Sequence, residues 1–197
     1  MGSALRIGDA RIFLVAAFVV LGSLTACATT NSAPRQVASK TVAGCPVAAT
    51  TSTQDTLTGR ACDTIGRLPQ LTQSVQTAYD GQTASVTVTV TLGGAVPLTG
   101  QQISAAQEMT KSISLLEQQA MWGSGVSLKG VKVMVFGPTQ DEYANIIAQP
   151  YGSAMLDAAT AASFVWANLS ADGAWDRYDS VYLRPTFDVV DDLPAAP

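Results

Sequence analysis

Between Val86 and Leu92 the chain alternates without a break: Val86, Val88, Val90 and Leu92 are separated by Thr87, Thr89 and Thr91. A two-residue period puts successive side chains on opposite faces of an extended strand, so this segment has one apolar face and one hydroxyl face. A helix would scatter the same valines around its axis and bury none of them well. The pattern therefore demands a sheet with at least one covered face. Gly93-Gly94-Ala95-Val96-Pro97 breaks the strand, and Thr99 then offers an N-cap hydroxyl for a helix running to about Trp122. Ile103, Ala106, Met109, Ile113, Leu116 and Ala120 recur along one side of it at three- and four-residue steps, and Gly123 and Gly125 end it. Val131, Val133 and Val135, with Met134 and Phe136, form a second strand. Its nearly continuous apolar run predicts a central position, and Gly137-Pro138 stops it.

Further along, Asp141 to Gln149 reads as a short helix with Tyr143, Ile146 and Ile147 turned inward, broken by Pro150 and Gly152. A longer helix is predicted from about Ser153 to Leu169, with Met155, Ala159, Ala162, Trp166 and Leu169 on one side. After the turn Ala171-Asp172-Gly173, Ser180-Val181-Tyr182-Leu183 is a third strand, limited by Pro185. The order β-α-β-α-β predicts the α/β class: a single small layered domain with helices packed on one face of a small sheet. Trp122 leading to Val131, and Trp166 leading to Val181, hint at a repeated helix-Trp-loop-strand unit. The threonine face of the first strand is then solvated, or covered by a partner or by the N-terminal segment. A ligand surface is expected beside it.

The beginning of the chain follows another plan. Arg6 and Arg11 precede the apolar run from Ile12 to Leu21, and Gly22-Ser23-Leu24-Thr25-Ala26-Cys27 follows. A basic start, an apolar stretch and then small residues is the design of a secretory signal peptide. From Ile12 to Ala26 it is short of the roughly 20 residues that a spanning helix needs. Leu24-Thr25-Ala26-Cys27 resembles the lipobox of bacterial lipoproteins. That resemblance implies cleavage before Cys27, a diacylglycerol on its sulfur, and Cys27 as the new N-terminus. The partner it implies is a membrane, held by acyl chains worth roughly 0.8 kcal/mol per buried CH₂. The plain alternative is an ordinary signal peptide in which Cys27 is incidental. An Ala-, Thr-, Ser- and Val-rich, Lys-poor mature part makes the chain similar to small lipoproteins of mycobacteria and related high-GC Gram-positive bacteria.

Export also decides how the other cysteines read, because disulfides persist outside the reducing cytosol. Cys45 and Cys62 form an even pair, most simply one disulfide, with two free thiols as the other reading. The expected organisation is a lipoprotein signal peptide over 1–26, a lipidated N-terminus and flexible tether over 27–43, and a disulfide-bearing extension over 44–67. The α/β domain follows over 68–190, with an acidic tail over 191–197. Residues 44–58 are so rich in Thr, Ser and Ala that only the disulfide argues for order there.

Composition narrows the chemistry. The chain has no histidine, so neither a Ser-His-Asp triad nor a histidine zinc site can be built. Eleven basic against 15 acidic residues leave a net charge of −4, which argues against a nucleic-acid partner. No Ser-x-x-Lys, P-loop or dinucleotide-binding pattern occurs, and neither cofactor nor metal is expected. Lys129 and Lys132 read as solvated edge charges, Asp141-Glu142 as anions at a helix start, and Asp188, Asp191 and Asp192 as a solvated tail. Carboxylates remain as the only catalytic option. Asp172, Asp176 and Asp179 surround Trp175 and Tyr178. Trp175, Asp176, Tyr178 and Asp179 are the candidate ligand-binding residues, in a loop that could hold a sugar or a cation. The plain alternative is a turn that uses Asp for its backbone and buries its rings. The sequence thus favours a non-enzymatic, lipid-anchored envelope protein on the extracytoplasmic face of the cell membrane, binding an envelope protein or a small ligand. The alternative is a glycan-active envelope hydrolase, which needs two of these acids facing one pocket roughly 5–10 Å apart.

Overall fold

In the computed structural model, which describes residues 45, 52–65 and 72–187, the alternating Val/Thr segment is the second strand of a five-stranded sheet. The elements run α1 (Thr53–Ile65), β1 (Thr72–Asp80), β2 (Ser85–Leu92), α2 (Gly100–Trp122), β3 (Gly130–Gln140), β4 (Ile146–Asp157), α3 (Ala158–Ala162), α4 (Ala171–Trp175) and β5 (Ser180–Leu183). A 3₁₀ turn, Trp166–Asn168, separates α3 from α4. The leader, Cys27, the tether and the acidic tail lie outside the described residues.

The strands lie in chain order, β1-β2-β3-β4-β5. Only β2 and β3 are parallel. A parallel neighbour requires a crossover, and α2 supplies it. Its start is fixed by a reciprocal cap: the Thr99 hydroxyl accepts from the Gln102 N–H, while the Gln102 side chain accepts from the Thr99 N–H. The valines of β2 and β3 are buried beneath α1 and α2, together with Leu57, Ala61, Ile65, Ile113 and Met121. A second cluster gathers Leu115, Ala154, Leu156, Phe164, Trp175 and Tyr178 at the β4 side. The molecule is thus an α/β domain with a mixed sheet, as its class was expected to be, and β2, α2, β3 and β5 fall where their patterns predict.

Several expectations are corrected. Neither helix predicted over Asp141–Gln149 and Ser153–Leu169 forms as such: β4 takes 146–149 of the first and 153–157 of the second, whose remainder holds only the short α3 and the 3₁₀ turn, and Gly137-Pro138 does not stop β3, which continues to Gln140. Pro150 and Gly152 look like breakers but serve the strand. Pro150 sits opposite Phe136 beside a bulge, where a missing N–H is tolerated. At Gly152 a Cβ would stand 2.7 Å from the Tyr182 carbonyl oxygen and 2.8 Å from the Thr110 methyl, so α2 and β5 leave no room for a side chain. Gly152→Ala is therefore expected to lower stability by about 1–3 kcal/mol, read as a lower urea midpoint; an unchanged midpoint would show that α2 can move aside.

Asp141-Glu142 accordingly belongs to a hairpin loop rather than a helix start. Asp141 accepts from the Tyr143 and Asn145 N–H groups and from the Asn145 side-chain amide, which lowers its pKa. Lys132 lies on the middle strand and not at an edge. The repeated helix-Trp unit also dissolves: Trp122 closes a 23-residue helix, whereas Trp166 opens a single 3₁₀ turn. Finally, the folded part begins before residue 68. α1 buries Leu57, Ala61 and Ile65 in the main core, and its Gln54 side chain donates to the Thr77 carbonyl and accepts from the Tyr79 N–H of β1.

Candidate functional site

The aromatic-acid segment was the first candidate. α4 begins at Ser170, whose hydroxyl accepts from the Gly173 N–H, and this single turn throws Trp175 and Tyr178 inward. Each ring is only 8% exposed, and they meet edge to face at 6.1 Å in the second core cluster. Phe164 stacks near Tyr178, and the Arg177 guanidinium lies 4.6 Å from the Phe164 ring centre. The rings are interior and offer no surface to a ligand. Burial raises the Tyr178 pKa, and its hydroxyl has no hydrogen-bond partner among the described residues.

The acids of this segment have separate tasks. Asp179 accepts from the Asp157 N–H at 2.6 Å and from the Thr160 hydroxyl at 2.7 Å, tying the start of β5 to the end of β4. Asp172 pairs with Lys111 of α2 at 2.7 Å. That bond, with a second to Glu108, holds the Lys111 pKa above its ordinary value. Asp176 is exposed at the end of α4. These contacts describe a structural corner, in which two of the three acids are engaged with other elements.

Cys45 and Cys62 do come together, as a disulfide with Cα atoms 5.6 Å apart. The bridge fastens the chain ahead of α1 to the helix itself, and both cysteines pack against the main core. Beside it, Arg60, Asp63 and Thr64 of α1 with Gln119, Ala120 and Gly123 of α2 line an open, polar pocket of about 260 Å³.

The threonine side of the sheet is its uncovered side among the described residues. Register places Thr89, Met134, Ser153 and Tyr182 in one row across it, and Thr87, Lys132, Met155 and Ser180 in the next. None of these belongs to the buried core, and Met155 is 44% exposed. The surface is broad, mostly uncharged and mixed in polarity.

Two charged residues escape a sequence reading. Glu117 is fully buried in α2, and neither carboxylate oxygen has a hydrogen-bond partner among the described residues. Burial alone pushes its pKa up to about 9, so at neutral pH it is a neutral acid. A signal existed: Glu117 stands one helical turn from both Ile113 and Met121, on the inward side of α2. Arg184 is also fully buried. Its Nε donates to the Thr186 carbonyl, its N–H to the Tyr151 carbonyl, and its own carbonyl accepts from Gln107 of α2. Arg184 thereby holds the chain after β5 against the sheet, and nothing in its local sequence announces this. Among the described residues no group of three or more Cys, Asp or Glu could hold a metal ion. No protein-family model, curated protein or solved structure matches this chain, so its function rests on its own residues.

Proposed function

We propose that the protein is a lipid-anchored envelope protein on the extracytoplasmic face of the cell membrane, attached through Cys27, whose domain binds a protein partner and catalyses no reaction. The observation that carries this reading is the Cys45–Cys62 disulfide, which follows a leader ending in Leu24-Thr25-Ala26-Cys27. A bridge of this kind persists in an oxidising compartment, where such a leader would deliver the chain. The engaged Asp172 and Asp179, the interior Trp175 and Tyr178, and a sequence without histidine favour binding over hydrolysis.

Cys27→Ala is expected to move the protein from the membrane fraction to the soluble fraction, because no acyl chain can then be attached. Fractionation of cells expressing the full chain reads this directly. Membrane retention of the variant would overturn the anchor.

A further inference from the structure

We propose that the outer edge of β4, from Ile146 to Pro150, pairs with the same edge of a second copy of this chain. β3 and β4 run on beyond their neighbours. β2 accompanies β3 only as far as Phe136, and β5 pairs with β4 only over Gly152–Met155, whereas β3 and β4 stay paired out to Gln140 and Ile146. The product is a two-stranded arm whose end exposes Tyr143 and Ile146, at 78% and 69%.

The direction of its backbone groups follows from one bond. Gln140 donates its N–H to the Phe187 carbonyl, and so does not spend it on Ile146, which stands opposite. That pair is a non-bonded one in the antiparallel ladder, and Ile146 turns its N–H and C=O outward. Alternation gives Ala148 and Pro150 the same sense. The prolines agree with it: Pro138 faces Ala148 across the arm and has no N–H to exchange. Among the described residues, Ile146, Ala148 and Pro150 make no hydrogen bond on their outer side.

The other edges of the sheet are treated differently. On β1 the Gln54 amide occupies the position of a neighbouring peptide, donating to the Thr77 carbonyl and accepting from the Tyr79 N–H. β5 is four residues long and is followed by Pro185 after one residue. Both are common ways of blunting an edge. Ile146-Ile147-Ala148-Gln149-Pro150 carries no charge, and its single proline stands at the end nearest the rest of the sheet, leaving the outward N–H groups of Ile146 and Ala148 unguarded among the described residues.

The donor pattern accommodates a second copy of the same strand. With a two-fold axis at Ala148, each Ala148 N–H meets the Ala148 carbonyl of the other copy. Each Ile146 N–H meets the Pro150 carbonyl of the other copy. Pro150 serves only as an acceptor in this arrangement, so four of the six ladder bonds form and each Ile146 carbonyl goes without a backbone donor. An uncharged strand also sets no like charges opposite each other when it meets itself.

The test uses the full chain with Ala148→Cys. Residues opposite each other in a bonded antiparallel pair have Cα atoms about 5.5 Å apart, within reach of a disulfide. Mild oxidation is expected to give a product of twice the mass on a non-reducing gel. The same treatment should leave the native chain and an Ala78→Cys control on β1 as monomers. In detergent, sedimentation should find two copies of the native chain and one of Ala148→Pro, which loses the outward N–H but no bond to β3. An Ala148→Cys chain that stays monomeric, or that links to a different protein, overturns the proposal whether or not Ala148→Pro folds.

Discussion

Glu117→Gln is expected to make the folded protein about 3 kcal/mol more stable at pH 7, with a gain that grows as the pH rises. The native carboxyl holds its proton to about pH 9, while the same group in the unfolded chain releases it near 4.5. Between these values the folded state binds a proton that the unfolded state does not. Stability therefore falls as pH increases, by about 1.4 kcal/mol per pH unit from this one group. Below the lower value both states are protonated and the residue contributes no pH dependence; above the upper one the full penalty is in place. No charged group offsets the effect, since burial is its only cause. The charges on elements packed against α2 are half-buried or exposed: Asp55, Arg60 and Asp63 on α1, Lys132 on β3, Asp157 on β4 and Asp172 on α4. Glutamine keeps the shape and removes the titration. Urea midpoints measured from pH 4 to pH 9 should converge for the two proteins at the acid end and separate steadily above it. Parallel curves, or a variant less stable at every pH, would mean that Glu117 is held by a partner as a charged group.

Loss of the Cys45–Cys62 bridge is expected to cost about 3 kcal/mol, the chain-entropy value for a closed loop with a sequence separation of 17. The double variant Cys45→Ser, Cys62→Ser is the appropriate probe because it leaves no unpaired thiol of this pair. α1 retains its own attachments: Leu57, Ala61 and Ile65 in the core, and Gln54 on the edge of β1. The domain should then still fold, with a lower urea midpoint and earlier proteolysis at the α1 end. A midpoint equal to that of the native protein would show that packing alone orders the helix.

Much of the fold was legible because it rests on local periods. β2 announces itself by alternation, α2 by apolar spacing and the Thr99 N-cap, β3 by its run of valines, and β5 by Val181-Tyr182-Leu183 between polar turns. The cysteine pair was legible from number and compartment. α1 was less so, since its three buried residues stand among threonines, and it gains order from docking on β1. The candidate site fared differently. A cluster of Asp, Trp and Tyr looks the same in sequence whether its rings face water or a core, and the second core cluster settles that for Trp175 and Tyr178.

By itself, then, the sequence determined the α/β class, the valine face that must be buried, and the absence of any imidazole chemistry. Each follows from composition or from a repeat within a few residues. The tertiary structure alone decided that 146–157 is a strand, that Gly152 yields its space to Thr110 and Tyr182, and that Glu117 lies in the dark between α2 and its neighbours. The physical reason is common to all three. A residue's partners here come from segments distant in the chain, and burial, hydrogen bonding and pKa are properties of those partners rather than of the local pattern.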